Sequence, residues 1–146
     1  MIKVDNINWD KFKNILEFAK TIPQEKFDIG LFRDDESDDS RPECNTVGCV
    51  IGHATALDPE LVSKHFDPCE GIHFYSWYKA YVEDKLVEAL AGEDPIWDWC
   101  FNSMWSDTDN TIAGAIKRMQ FAYDNKAVPE DYWLQAVGTN EYMFKN

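Results

Sequence analysis

Apolar residues recur along most of this chain with a period near 3.6, the spacing that lays one face of a helix against a core. Trp9, Phe12, Leu16 and Ala19 form one stripe, which Ile15, Phe18 and Ile22 widen, while Lys11, Lys13, Glu17 and Lys20 lie mostly away from it. The spacing predicts a helix from about Trp9 to Thr21, capped by Asn8 and ended by Pro23. A second helix is predicted to open at Asn45 or Thr46, with Val47, Val50, Ile51, Ala54 and Leu57 on its apolar side. Asp58-Pro59-Glu60 then restarts the chain as an N-cap, a proline at the first helical position and an acid in the first turn. That helix is expected to end near Phe66. A longer one runs from Ser76 to about Ala91, with Tyr78, Val82, Leu86 and Leu90 on one face, and Gly92 stops it. Asp94-Pro95 repeats the start signal ahead of Trp97, Phe101, Met104 and Trp105. Asp107 or Thr108 is the expected cap of a helix through about Asn125, with Ile112, Ile116, Met119 and Tyr123 in register. "KAVPEDYW" turns into a short last segment.

The period fails between 24 and 43. "FDIGLF" reads as a short extended piece near 27–32 or an irregular apolar plug. "RDDESDDSRPE" places Asp34, Asp35, Glu36, Asp38 and Asp39 within six positions. It lacks the ligand spacing and central glycine of an EF-hand, so a solvated, mobile acidic loop is expected at about 33–43. No internal repeat or Gly/Ser linker divides the chain. The fold class that follows is mainly α: a single compact domain, 1–146, of about six helices whose short connections favour antiparallel packing.

Composition changes this picture in one respect, which is charge. A chain of 146 residues, 45% hydrophobic and 14% aromatic, can build a core without a disulfide or metal staple. It also carries 27 acids against 14 Lys plus Arg, a net charge of −13. The excess sits mid-chain: residues 27–44 sum to −5 and 76–110 to −6, whereas 111–146 sum to zero. Such a surface repels nucleic-acid backbones and anionic membranes, so neither is expected as a direct partner. A protein with a basic surface suits it. The start of the chain has no apolar signal-type region and no apolar run is long enough to span a bilayer, so a cytoplasmic location with reduced thiols is expected. Cys44, Cys49, Cys69 and Cys100 are then free thiols, metal ligands or a nucleophile.

Three places could carry chemistry. In "CNTVGCVIGHATAL", Cys49 and His53 are four apart on one helical face, with Cys44 just before the first turn. A thiol at a helix N-terminus beside an imidazole meets the conditions for a nucleophile. Cysteine hydrolases mostly draw the pair from different elements, however, so Cys44, Cys49 and His53 remain weak candidates and no catalytic residue is assigned. A zinc site would need help from Cys69, His73 or Cys100 and lacks a C-x2-C knuckle, so no metal or cofactor is expected. The plainer reading is a core helix notched by Gly48 and Gly52, against which the Trp-rich segment 97–105 is expected to pack. Second, in "WDWCFNSMW" most aromatics fit one stripe, while Trp99 falls on the other side and could line a groove or stack on a ligand. Third, Arg118 could pair with one of the many acids or hold an anion.

The "CNTVGCVIGHATAL" run, followed by "WDWCFNSMW" and "AIKRMQFAYDNKAVPEDY", resembles a loose family of small uncharacterised phage and bacterial proteins with a Cys-Gly-Thr-x-x-Cys-x-x-Gly-His/Trp-Ala motif. Cys44, Thr46, Cys49, Gly52, His53 and Ala54 match, and Asn45 stands where that family tends to have glycine. The resemblance implies a small cytoplasmic protein of phage type and brings no established activity. The expected function is an acidic binding protein that modulates or inhibits a host protein, a defence or nucleic-acid-handling factor, by occluding its basic surface with Asp34, Asp35, Glu36, Asp38 and Asp39. Two alternatives stand beside it. One is sequestration of a nucleotide-like ligand by Trp99, Trp105, His53 and Arg118. The other is a cysteine-dependent hydrolase.

Overall fold

A computed structural model of the protein describes residues 1–27, 50–61, 74–87, 94–102, 105 and 108–136. The fold is mainly α. In chain order its elements are β1 (Ile2–Lys3), α1 (Trp9–Ala19), a 3-10 turn (Gln24–Lys26), α2 (Val50–Ala54) running into a second 3-10 turn (Thr55–Leu57), α3 (Phe74–Glu83), α4 (Pro95–Cys100), α5 (Ile112–Asn125), β2 (Ala127–Val128) and α6 (Tyr132–Ala136). These are six α-helices among the described residues, with a further helical turn at 59–61.

The helix starts follow the capping residues. Asn8 Oδ1 accepts from the amides of Asp10 and Lys11, which satisfies two donors that the first turn of α1 leaves open. Asp94 Oδ1 accepts from Trp97 N–H with Pro95 at the first helical position of α4. Asp58 Oδ1 accepts from Leu61 N–H at 3.0 Å. The cap of α5 is Thr111, whose hydroxyl accepts from Gly114 N–H at 2.9 Å. The expected caps Asp107 and Thr108 lie upstream of it. Asp107 is outside the described residues, and the Thr108 hydroxyl instead donates to the Ala136 carbonyl, tying α6 down.

Two elements differ from expectation. The helix predicted from Ser76 to Ala91 is already helical at Phe74 and ends at Glu83, where Asp84 takes a left-handed φ of 56°. Aspartate tolerates that conformation better than most residues. Leu86, placed by periodicity on the apolar face, is 69% exposed as a result. The second difference is a two-strand antiparallel ribbon that pairs Ile2 with Val128 and Lys3 with Ala127, joining the two ends of the described chain. The extended piece expected near 27–32 lies almost wholly outside the described residues; its first member, Phe27, is extended and buried.

The core forms where α1 packs on α5, α2 and α3, and α4 packs on α5 and α6. Phe12, Ile15, Leu16 and Ala19 of α1 are fully or almost fully buried. Large side chains of this kind contribute about 1.5–3 kcal/mol each when removed from water. An aromatic cluster links three helices: Tyr78 of α3 lies 5.4 Å from Trp97 of α4 and 5.3 Å from Phe101, which meets Phe12 of α1 at 6.3 Å. The main packing partners of α2 are α1 and α3. The Trp-rich segment packs mainly on α5 and α6 through α4, while Gly48, half of the notch it is expected to fill, lies outside the described residues.

Candidate functional site

The described residues hold two polar constellations, one closed inside the core and one beside an open groove. The closed one joins α4 to α5. Trp99 is 6% exposed, and its indole N–H donates to the Arg118 carbonyl at 3.0 Å. Its ring meets Trp105 edge-on at 5.5 Å and Phe121 at 5.9 Å. The Trp105 indole N–H donates to the Asp98 carbonyl at 3.1 Å. The Asp98 carboxylate is buried and accepts from Asn102 at 2.8 Å.

Arg118 lies over the Trp105 ring at 4.0 Å and is 5% exposed. Stacking suits a planar, weakly hydrated guanidinium. Its ion partner is Asp109, with Nη1 3.4 Å from Oδ2, a long contact to a carboxylate 39% exposed. Nε and Nη2 are buried with no hydrogen-bond partner among the described residues. Burial pulls the guanidinium below its ordinary value, opposed by Cys100 and Asp109. Cys100 is fully buried beside it; burial pushes that thiol up, Arg118 pulls the other way, and Asp94 adds to the rise. A thiol held protonated in this way is no nucleophile.

The second constellation centres on Lys79 of α3. Its ammonium donates to Glu83 and, at 3.1 Å, to Asp94 Oδ2. The Tyr75 hydroxyl donates to the same Asp94 oxygen at 2.8 Å, and Asn6 donates to Glu83 Oε1 at 3.1 Å. Burial acts to lower Lys79, but the hydrogen bonds and charges of Glu83 and Asp94 outweigh it and hold the ammonium above its ordinary value. Burial, followed by the Asp94 carboxylate, raises Tyr75. The cluster forms one wall of an open groove of about 240 Å³, whose remaining lining is the N-terminal segment 2–7 with Pro95 and Ile96.

His53 belongs to neither. It is half-buried on α2, and its Nε2 lies 2.7 Å from the Lys26 carbonyl. A carbonyl only accepts, so Nε2 is assigned the proton from its partner. The ring thereby tethers α2 to the 3-10 turn after α1. Cys44, Cys49, Cys69 and His73, and the acids Asp34, Asp35, Glu36, Asp38 and Asp39, lie outside the described residues. Of the candidate binding residues, then, the structure brings together Trp99 and Arg118, in contact inside the core. The Lys79 cluster and its groove were missed from the sequence. Lys79 and Glu83 are four apart on a helix, which is a readable pair, but Asp94 and Asn6 join them only through packing.

Among the described residues no group of His, Cys, Asp and Glu is placed to hold a metal ion, and no helix is long and apolar enough to cross a membrane. Comparison with protein-family models, with curated proteins and with solved structures gives no match to this chain.

Proposed function

We propose that this protein is an acidic binding domain that engages the basic surface of another protein and blocks it, with a host factor that handles nucleic acid as the partner class. The observation that carries the reading is where the charge lies. The described residues hold 14 acids and 10 Lys plus Arg, a net of −4, so −9 of the −13 belongs to the remaining segments. Within the described body, Asp5, Asp10, Glu25, Glu60, Asp84, Asp124 and Asp131 are exposed. Of the carboxylates taken inside, Glu83 and Asp94 hold a lysine between them and Asp98 accepts from Asn102. A surface of this kind presents carboxylates where a nucleic acid presents phosphates, and long-range attraction would steer a cationic partner to it.

The test is binding to the heparin-retained fraction of a bacterial lysate. The complex should dissolve between about 0.05 and 0.5 M salt and be displaced by double-stranded DNA. It should weaken when Asp34, Asp35, Glu36, Asp38 and Asp39 are replaced together by their amides. A complex indifferent to salt, to DNA and to that replacement overturns the reading.

One observation favours the nucleotide-like ligand as a second reading: Nε and Nη2 of Arg118 are unpartnered beside the Trp105 ring. A thermal shift with ATP that is absent in Arg118→Met would support it, and no shift with ATP or phosphate would remove it.

A further inference from the structure

We propose that the groove beside β1 seats an extended lysine- or arginine-bearing segment of the partner, added as a third strand on the free edge of the ribbon. The inference rests on the basic-partner reading above and gives it a place on the molecule.

The edge follows from the register. Val4 N–H donates to the Lys126 carbonyl at 2.9 Å, and Ile2 stands opposite Val128. In an antiparallel ladder the pairs alternate between hydrogen-bonded and non-bonded, so Ile2 and Val4 turn their main-chain groups toward β2. Lys3, opposite Ala127, then turns its N–H and C=O away from β2, and Asp5 follows two residues on, past the end of β1. Neither the Lys3 nor the Asp5 amide has a hydrogen-bond partner among the described residues. An outward row of unused donors and acceptors is the template for strand addition.

The groove supplies the second and third observations. It runs along 2–7 and is bounded on its other wall by α3 and α4, and the added strand lies in that space. Its lining carries Asp5, Glu83 and Asp94 against Lys3 and Lys79, an excess of one negative charge. Glu83 and Asp94 are already bonded to Lys79, so they contribute field to the wall rather than new bonds. Asp5 is exposed and has no ion pair among the described residues, which makes it the carboxylate that meets an incoming ammonium or guanidinium.

The experiment uses the whole chain and a capped, fluorescently labelled hexapeptide alternating threonine and lysine. Two further versions are methylated at alternate backbone amides, one in each register, which keeps their charge and removes every second donor. Anisotropy at low salt should show binding of the parent peptide, with one methylation register weakening it about tenfold and the other leaving it intact. Lys3→Pro removes the outward N–H without touching a ladder bond, and Asp5→Asn removes the charge; each should weaken the parent peptide. Equal binding of all three peptides, unchanged by Lys3→Pro, means charge attraction alone: the groove proposal falls and the basic-partner reading stands. No binding of any peptide at low salt removes the groove proposal and leaves the basic-partner reading to its own salt and DNA test. Concentration-dependent self-association that Lys3→Pro abolishes means a second copy occupies the edge, which also overturns the proposal.

Discussion

At the residue scale, Arg118 is the position where burial and bonding disagree most. A guanidinium 5% exposed with two nitrogens unpartnered carries a desolvation cost that one long contact to Asp109 does not offset. We expect Arg118→Met, which keeps an apolar chain over Trp105, to be neutral or stabilising by up to a few kcal/mol in urea unfolding. Arg118→Ala also removes the packing and should cost about 1–3 kcal/mol. Equal losses in the two variants would show that the guanidinium is better satisfied than its geometry indicates. Gly114 is the companion case. A Cβ there would sit 2.0 Å from Asp109 Oδ2, so alanine evicts the carboxylate that holds both Arg118 and the Thr111 hydroxyl. In a background already carrying Asp109→Ala, Gly114→Ala should stabilise by about 1 kcal/mol through helix propensity, whereas in the parent it should not. A double-mutant cycle with no coupling would reject this account. Arg118 could be read from the sequence as a charge in search of an acid. Its stack on Trp105 and the choice of Asp109 could not, because both depend on how the chain turns between α4 and α5.

At the element scale, local caps set the starts of α1 and α4, whereas α3 is already helical at Phe74, upstream of the expected Ser76, and α5 opens at Thr111, past Asp107 and Thr108. The caps at Asn8 and Asp94 stand where the sequence places them. Asn8→Ala should cost about 1 kcal/mol, seen as a lower unfolding midpoint with no change in denaturant slope. The end of α3 was misread because apolar residues continue at helical spacing to Leu90, while Glu83 is drawn inward to Lys79 and Asn6 and Asp84 turns left-handed. That drawn-in cluster ties the N-terminal segment to α3 and α4. Lys79→Met should therefore be among the costly changes, about 3–5 kcal/mol, since it leaves Asp94 without a cation and Glu83 with only the exposed Lys85 at 3.8 Å. A loss below about 1 kcal/mol would mean that water enters and screens both carboxylates. The β1–β2 ribbon is not legible in the sequence because two-residue strands have no readable period, and they pair across 124 to 126 positions.

At the scale of the whole molecule, the protonation of buried groups sets one side of the pH range. Cys100 and Tyr78 are raised by burial first, Tyr75 by burial and then Asp94, and Lys79 by Glu83 and Asp94 against its burial. Each binds its proton more tightly folded than unfolded, so each contributes stability that is present below its unfolded value and lost as pH rises above it. Unfolded values of about 8.5 for the thiol and about 10–10.4 for the tyrosines and lysine place the decline above about pH 8.5, steepening above about pH 10. Urea midpoints across that range should fall, and Cys100→Ala should flatten the first part of the fall. A flat profile to about pH 10.5 would contradict the burial of these groups. The sequence by itself determined the mainly α class, the capped starts of α1 and α4, the apolar face of α1 and the acidic balance, because capping, periodicity and charge are local properties of the chain. Only the tertiary structure decided that Trp99 spends its indole N–H on a carbonyl of α5, that His53 clasps Lys26, that Lys79 gathers carboxylates from two elements, and that segment 2–7 borders a groove. Those outcomes depend on which surfaces meet, and a polar group removed from water takes whichever partner the packing brings within reach.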